Sequence, residues 1–300
     1  MSRPRTVFLL AGLRLADLLL ANLPARAAYA LADLGGALTN RMAGDRRSLV
    51  RTNLDRAVRA AGRPLGDRKL DRLVRQAYIE RARYYLELIR SPGYRLDRVD
   101  RIVAFDDIHG LRAAMAQGPL VLVGSHFGNG EPGAMLTASW GFRPVIPVEE
   151  IEPPELFRFI LDRRIGGHAD VVPVARSQRI MIRTLRAGGL VGIVADRDLV
   201  GNGLPVDLFG HPTTVPTGPA ALARLTGAEV WVACCVRLGP DRFHAWATPI
   251  PYEPTADRDA DIAALTRRIT DQIASDILRA PAQWWGAFQP IWPDLSPTPA

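Results

Sequence analysis

The fold of this 300-residue chain is organised around one stretch, Leu120-Val121-Leu122-Val123-Gly124-Ser125-His126-Phe127-Gly128-Asn129-Gly130-Glu131-Pro132-Gly133. An apolar run typical of a buried strand leads into a glycine-rich turn that carries His126, and Glu131 follows five residues later. Pro132 suits the first position of a helix, where its missing N–H has no partner to lose. The stretch therefore predicts a strand, a turn and a helix that begins near Glu131.

His126 and Glu131 form a candidate catalytic pair. Two residues five apart in a regular helix lie about 140° apart around its axis, so one helix would not direct both at one point. The pair converges only if the chain bends between them, and Gly128 and Gly130 permit such a bend. A histidine oriented by a carboxylate is the arrangement of a general base, so we predict that His126 is the base and Glu131 its partner.

Charge is unevenly distributed along the chain. Residues 1–105 hold 21 Lys+Arg against 10 Asp+Glu, a net +11, whereas the whole chain carries +7 and the remainder therefore −4. This asymmetry indicates an anionic partner for the N-terminal part: a membrane surface, a nucleic acid or a phosphorylated substrate. The apolar fraction of 48% and the charged fraction of 23% are typical of a folded protein.

The two cysteines, Cys234 and Cys235, are adjacent within the apolar run 230–236. Neighbouring cysteines provide neither a disulfide framework nor the spacing of metal ligands. We therefore predict buried, unreactive thiols in a reducing cytoplasm, and no metal site.

Residues 1–104 are predicted to form a helical region that associates with a membrane. Residues 7–23 are strongly apolar, but Arg14 and Asp17 interrupt them, so the segment is too short to span a bilayer and lacks the features of a signal peptide. It suits an interfacial helix and a helix packed in the core equally well. Residues 41–59 are basic with helical apolar spacing, and beside an interfacial helix their arginines would face anionic lipid headgroups.

Residues 105–300 alternate between strand and helix patterns. This alternation predicts an α/β domain with a mostly parallel central sheet flanked by helices. The predicted strands are 119–124, 143–148, 170–174, 190–195, 229–237 and 242–247, and the predicted helices are 132–140, 154–166, 177–187, 217–226 and 257–280.

Carboxylates follow two of the predicted strands. Glu149 comes after the strand 143–148, and Asp196 and Asp198 come after the strand 190–195. Ligands of open α/β sheets bind beyond the carboxyl ends of the strands, so these side chains and His126 are expected to share one site.

A second interpretation of the same turn is a dinucleotide site. Gly128, Gly130 and Gly133 match the G-x-G-x-x-G fingerprint, with Glu149 and Glu150 downstream. It would make the chain a Rossmann-type NAD(P)-dependent oxidoreductase. Three residues intervene between the strand and the first fingerprint glycine, and Pro132 removes an N–H that would bind pyrophosphate. A non-catalytic lipid-binding module is the third alternative.

Several segments between residues 120 and 292 resemble one known family. In order they are His126-Phe127-Gly128-Asn129-Gly130-Glu131, Ala195-Asp196-Arg197-Asp198-Leu199, Val206-Asp207-Leu208-Phe209-Gly210, Val215-Pro216-Thr217-Gly218-Pro219-Ala220, Thr226-Gly227-Ala228 and Pro281-Ala282-Gln283-Trp284. The first resembles the H-x4-D/E signature of the glycerolipid acyltransferase superfamily. The ordered set is similar to its lipid A biosynthesis branch, and most similar to the phosphatidylinositol mannoside acyltransferases of actinobacteria.

The resemblance implies transfer of a fatty acyl chain from a thioester, acyl-CoA or acyl carrier protein, to a hydroxyl of a membrane glycolipid such as a phosphatidylinositol mannoside. It implies no further cofactor and no nucleic-acid partner. The enzyme would be peripheral or monotopic, on the cytoplasmic face of the inner membrane. One departure is Gly130, which stands where the family commonly has tryptophan.

The resemblance also implies roles for individual residues. His126 would be the general base and Glu131 its orienting partner. Glu149, Arg164 and Asp196 fall where the family has further active-site residues. We assign Asp196 to catalysis and Glu149, Arg164 and Asp198 to substrate binding.

The chemistry agrees with these residue types. A thioester is already activated, so the enzyme must deprotonate an alcohol and place it in line. Neutral His126 takes the proton, Glu131 stabilises the imidazolium, and Arg164 binds a phosphate. Amides near the helix start, residues 132–134, would stabilise the oxyanion. No serine or cysteine nucleophile is required, so direct transfer without an acyl-enzyme is expected.

Overall fold

The structure is a computed structural model that describes residues 12, 17, 19–150, 153–164, 168–198 and 201–295. Its N-terminal part contains three long helices: α1 (Ala25–Met42), α2 (Asp45–Ala60) and α3 (Asp67–Arg90). The apolar residues of α3 recur every three or four positions and are buried at Leu70, Val74, Ala77 and Tyr78. Of two adjacent tyrosines near its C-terminal end, Tyr84 is buried and Tyr85 is 47% exposed.

A seven-stranded sheet forms the centre of the remaining chain. Its strands are β1 (Val103–Phe105), β2 (Leu120–Gly124), β3 (Val145–Val148), β4 (Asp170–Pro173), β5 (Leu190–Val194), β8 (Glu229–Gly239) and β9 (Arg242–Pro249), in the spatial order β1-β9-β8-β2-β5-β3-β4. Every neighbouring pair is parallel except the antiparallel hairpin of β8 and β9. The mostly parallel sheet predicted from the sequence is thereby confirmed.

Helices connect and cover these strands. They are α4 (Ile108–Gln117), α5 (Gly130–Ser139), α6 (Pro154–Arg164), α7 (Val174–Arg186), α8 (Gly218–Thr226) and α9 (Arg258–Ile277). Between β5 and α8 lies a separate antiparallel pair, β6 (Leu204–Leu208) and β7 (His211–Val215). The sequence analysis did not identify β1, α4, β6 or β7.

The N-terminal helices share one hydrophobic core with the sheet. Leu54 of α2 and Val74 of α3 belong to the same buried cluster as Val121 of β2 and Val191 of β5. The division at residues 104 and 105 stays a prediction. The nearest structural change is β1, which begins at Val103 and pairs with β9.

Membrane association of the N-terminal region stays a prediction. Most of residues 7–23 lie outside the described residues. Four of the five arginines of α2 form ion pairs: Arg47 with Asp71, Arg51 with Asp67, Arg56 with Asp294 and Arg59 with Asp55. The basic face predicted to attract lipid is therefore largely neutralised by carboxylates of the same chain. No helix among the described residues is both long enough and apolar enough to cross a membrane.

An apolar stripe that the sequence analysis missed lies on α1. Leu31, Leu34, Leu38 and Met42 are spaced three or four residues apart and are 51%, 68%, 56% and 77% exposed. The opposite face of the helix is buried at Tyr29, Gly36 and Asn40. Residues at this spacing lie along one side of a helix, so the stripe is a continuous exposed surface.

Candidate active site

The site begins where β2 ends, in the centre of the sheet between β5 and β8. The chain turns sharply there because Gly128 adopts φ +65°, a conformation that favours glycine. A Cβ atom on Gly128 would lie 2.0 Å from the carbonyl oxygen of Cys235, so only glycine fits. The predicted bend between His126 and the following helix is therefore present. The close approach of Gly128 to Cys235 of β8 requires this bend.

Asp196 binds His126 at two atoms. Its Oδ1 lies 2.6 Å from Nδ1 of the imidazole, and its Oδ2 accepts a hydrogen bond of 2.9 Å from the His126 backbone N–H. The two residues meet because β2 and β5 are adjacent parallel strands, with Gly124 opposite Val194. Asp196 is therefore the carboxylate that orients the histidine ring, a contact that the sequence analysis had assigned to Glu131.

This contact determines which ring nitrogen is available for chemistry. The Asp196 side chain is 5% exposed, and that of His126 is 27% exposed. A carboxylate at Nδ1 favours the tautomer with the proton on Nδ1, which leaves the lone pair on Nε2. Among the described residues none hydrogen-bonds to Nε2. The arrangement can therefore accept a proton from a substrate at Nε2 and stabilise the resulting imidazolium through Asp196.

Glu131 lies on the first turn of α5 and takes part in a different contact. Its Oε1 accepts a hydrogen bond from the Tyr84 hydroxyl at 3.4 Å. Tyr84 stacks on Trp285, with ring centroids 4.9 Å apart, and Trp285 meets the His126 ring edge-on at 4.8 Å. Glu131 is thus connected to the histidine through two aromatic rings.

The C-terminal segment holds the backbone of the turn that carries His126. The His126 carbonyl accepts from the Gly286 N–H at 2.9 Å, and the Gly128 N–H donates to the Gln283 carbonyl at 3.0 Å. An isolated antiparallel bridge joins Phe127 to Trp284. Only the resemblance to a known family had drawn attention to residues 281–284, because their composition carries no catalytic signal.

The three substrate-binding candidates occupy different positions. Glu149 follows β3, and its Oε2 accepts from Arg197 at 3.0 Å. The carboxylate of Asp198 accepts from the backbone N–H groups of Gly201 and Gly203, at 2.9 and 2.7 Å, which shapes the loop after β5. Arg164 is the last residue of α6, and its side chain lies outside the described part of the chain. Substrate binding by all three stays a prediction.

A buried charged network that the sequence analysis missed lies behind the turn. Arg237 of β8 forms ion pairs with Glu80 and Glu87 of α3, and their side chains are 2%, 9% and 0% exposed. Burial lowers the pKa of Arg237, but its hydrogen bond with Glu87 and the charges of Glu87 and Glu80 more than offset this, so the pKa lies above its ordinary value. The seven-residue spacing of Glu80 and Glu87 puts both on one face of α3. Charged residues in a helix usually face solvent, so nothing in the local pattern predicts that these two are buried.

Nearly the whole chain matches the model of a known protein family. Residues 2–292 match the family described as bacterial lipid A biosynthesis acyltransferase. The chain belongs to this family. The expectation drawn from the ordered segments is confirmed.

Curated relatives of this family member are phosphatidylinositol mannoside acyltransferases. The protein of that name from Mycolicibacterium smegmatis is 31% identical over 255 residues, which cover 82% of this chain and 80% of the relative. A protein of the same name from Mycobacterium tuberculosis is 32% identical over 224 residues, or 71% of this chain and 68% of the relative. Among solved structures, the 1-acyl-sn-glycerophosphate acyltransferase from Thermotoga maritima aligns with a TM-score of 0.37 and 12% identity, over 88% of this chain and 97% of that one.

The alternative of a dinucleotide-binding oxidoreductase is not supported for this lipid A-type acyltransferase. The first fingerprint glycine serves the fold: Gly128 fits against the Cys235 carbonyl, and its N–H donates to the Gln283 carbonyl. The N–H of Asn129 donates to the same Cys235 carbonyl at 2.7 Å, and that of Glu131 donates to the Asn129 side chain. These three backbone amides of the turn are therefore occupied within the protein, whereas a pyrophosphate site needs such amides for its ligand.

Proposed function

We propose that this acyltransferase moves a fatty acyl chain from a thioester to a hydroxyl of a membrane glycolipid, with His126 as the general base. The observation that carries the proposal is the 2.6 Å contact between His126 Nδ1 and Asp196 at the carboxyl ends of two central parallel strands. That edge of an open α/β sheet is where ligands bind. The acceptor we propose is a phosphatidylinositol mannoside, because the curated relatives carry that name.

The proposed reaction is a direct transfer. Nε2 of His126 removes the proton from the acceptor hydroxyl as its oxygen attacks the thioester carbonyl. The tetrahedral intermediate then collapses, the C–S bond breaks, and the thiolate takes the proton from the imidazolium. The products are an ester and a free thiol, of CoA or of an acyl carrier protein. No group of the enzyme is acylated, and no cofactor beyond the donor is required.

Two carboxylates support the base in this proposal. Asp196 holds the Nδ1 proton and stabilises the imidazolium, since its Oδ1 is already 2.6 Å from Nδ1. Glu131 acts from the other side through Tyr84 and Trp285, which fix the plane of the histidine ring. Glu149, Arg164 and Asp198 are proposed to bind substrate, with Arg164 suited to a phosphate.

We further propose that the protein is peripheral or monotopic on the cytoplasmic face of the inner membrane. The exposed stripe of α1 supports this proposal, because four large apolar side chains at 51–77% exposure form a surface that hydrocarbon would cover. The arginines of α2 contribute less than their number suggests, since Arg47, Arg51, Arg56 and Arg59 are paired. Apolar burial therefore supplies the larger share of the membrane affinity.

A reconstituted transfer reaction tests the proposed function. Purified protein is incubated with labelled acyl-CoA and a phosphatidylinositol mannoside in vesicles, in parallel with the acyl carrier protein thioester, and the labelled lipid is identified. We expect His126→Ala to lower turnover by about 10²–10⁴-fold. His244→Ala is a matched control, because His244 also lies 2.6 Å from an aspartate, Asp106, but sits two strands from β2. Near-normal turnover by His126→Ala would refute the mechanism, and lipid binding without any turnover would favour a non-catalytic module.

A further inference from the structure

Asn129 has both polar atoms of its side chain and its backbone N–H engaged, at the point where the turn of His126 becomes a helix. It is 2% exposed and caps the N-terminus of α5, its Oδ1 accepting from the Glu131 N–H at 3.1 Å. Its own N–H donates to the Cys235 carbonyl at 2.7 Å, and its Nδ2 donates to Oε2 of Glu87 at 2.7 Å. One side chain therefore connects the turn of His126 to the N-terminal helix α3.

The partner of Asn129 is itself held rigidly. Glu87 is fully buried, and its two carboxylate oxygens bind the guanidinium of Arg237. Oε1 also accepts from the Tyr29 hydroxyl of α1 at 2.7 Å. Burial, and then the charge of Glu87, raise the pKa of Tyr29, so its hydroxyl stays protonated as a donor. Glu87 is therefore held in place by Tyr29 of α1 and Arg237 of β8, and its hydrogen bond with Asn129 fixes the turn to the same cluster.

Arg237 is also linked to the same turn through Gln283. The Gln283 side chain binds the Arg237 backbone on both sides, accepting from its N–H at 2.8 Å and donating to its carbonyl at 2.9 Å. The Gln283 carbonyl accepts from the Gly128 N–H at 3.0 Å. Gly128 and Asn129, which follow His126 closely, are therefore both tied to one buried cluster.

We propose that Asn129 is a positioning residue: its link from Glu87 to the turn holds His126 at the distance from Asp196 that the reaction requires. The inference rests on the proposed role of His126 as base. Asparagine suits this position because the side chain must accept from Glu131 N–H and donate to a carboxylate at the same time. Aspartate would have no donor for Glu87, and serine would be too short to span both contacts.

Two substitutions separate positioning from helix capping. Asn129→Ser and Asn129→Asp both keep a side-chain oxygen able to cap α5, and both lose the amide that donates to Glu87. Asn40→Ser is the matched control, since Asn40 is likewise a buried asparagine, 7% exposed, but lies on α1. We expect kcat to fall about 10- to 100-fold in both Asn129 variants while the KM for acyl-CoA changes less than about twofold. Asn40→Ser should leave kcat unchanged.

NMR spectroscopy measures the contact between His126 and Asp196 in the absence of catalysis. The chain has five histidines, so [15N]histidine labelling gives a simple spectrum, and His126→Gln assigns the His126 signals. A proton held between Nδ1 and a carboxylate at 2.6 Å should be shifted downfield and protected from exchange. We expect this signal in the unmodified protein and in Asn40→Ser, and its loss or broadening in both Asn129 variants.

The outcomes separate this inference from the proposed function. If both Asn129 variants keep the unmodified kcat and the His126 signal, Asn129 does not position the base. If neither folds while Asn40→Ser does, Asn129 is structural and the inference is again wrong. If His126→Ala retains turnover, the proposed function fails, yet the His126 signal still shows whether Asn129 controls the geometry of the turn.

Discussion

Asp196 binds both the ring and the backbone of His126, through Oδ1 at 2.6 Å and Oδ2 at 2.9 Å. One carboxylate thereby sets the tautomer of the imidazole and the position of the residue that carries it. The contact spans 70 residues of sequence and exists because β2 and β5 are neighbours in register. In the proposed reaction, a base held in this way is oriented before substrate arrives, which reduces the reorganisation needed.

Asp196→Asn should lower kcat strongly with little effect on folding. The Asp196 carboxylate offers two acceptor oxygens to His126, whereas an asparagine side chain offers one oxygen and one NH2 group. In the variant, either the backbone N–H of His126 or its Nδ1–H would therefore face the NH2 donor. We expect a loss of about 10²–10⁴-fold in kcat, measured by acyl transfer to glycolipid. Asp106→Asn, which alters the other histidine–aspartate contact at His244, serves as the control. Equal activities of the two variants would contradict the assignment.

Glu131→Gln and Tyr84→Phe should act on the same interaction. Tyr84→Phe removes the donor of the 3.4 Å contact between Tyr84 and Glu131, whereas Glu131→Gln keeps an acceptor oxygen and removes the negative charge. If Glu131 supports His126 through Tyr84 and Trp285, each variant lowers kcat and the double variant is no worse than the more impaired single one. The measurement is a double-mutant cycle on kcat, with melting temperatures recorded for all four proteins. Unfolding of Glu131→Gln with no specific effect on rate would make Glu131 a structural residue of α5.

Gly128→Ala should destabilise the fold. The new methyl would sit 2.0 Å from the Cys235 carbonyl oxygen, and φ is +65° at this position. We expect a loss of about 2–4 kcal/mol in the free energy of unfolding, measured by urea denaturation. Gly130→Ala is the control two residues away, because a Cβ there meets no other atom within 4 Å. A Gly128→Ala protein as stable as Gly130→Ala would show that the turn has another conformation.

Cys234 and Cys235 should resist thiol reagents in the native protein. Both are buried and free, as the sequence analysis predicted. Burial raises the pKa of both thiols, further assisted by Asp276 for Cys234 and by Glu87 for Cys235. Since the thiolate is the reactive form, iodoacetamide at pH 8 should modify neither cysteine until urea unfolds the chain. Mass spectrometry counts the adducts; rapid labelling of the folded protein would contradict the buried position of these residues.

The sequence predicted the central sheet well because its strands are apolar runs bounded by turns. All six predicted strands are present. The strands that the sequence analysis missed have local features that argue against a strand. β1 has only three residues, and both strands of the β6–β7 hairpin contain a proline, Pro205 or Pro212. Proline cannot donate to a ladder and is an argument against a strand.

The candidate site was only partly accessible to sequence reasoning. The rule that ligands gather at strand ends brought His126 and Asp196 to one edge of the sheet. It could not decide between Asp196 and Glu131 as the partner, because that choice depends on the register of β2 with β5. The buried pair of Glu87 and Arg237 could not be predicted either, because two charged residues 150 positions apart form no local pattern that indicates their contact.

The exposed stripe of α1 should control binding to membranes. Leu34 and Leu38 are 68% and 56% exposed, and burial of each in the interface would contribute up to about 2 kcal/mol. Leu34→Ser/Leu38→Ser should therefore shift the protein to the supernatant when it is sedimented with vesicles. Leu225→Ser is the control, since Leu225 is 47% exposed but lies on α8. Because four of the five α2 arginines are paired, binding to anionic vesicles should weaken only modestly at high salt. Unchanged vesicle binding by the double variant would show that α1 does not face the membrane. A complete loss of binding by the unmodified protein at high salt would show that electrostatic attraction, and not apolar burial, supplies most of the affinity.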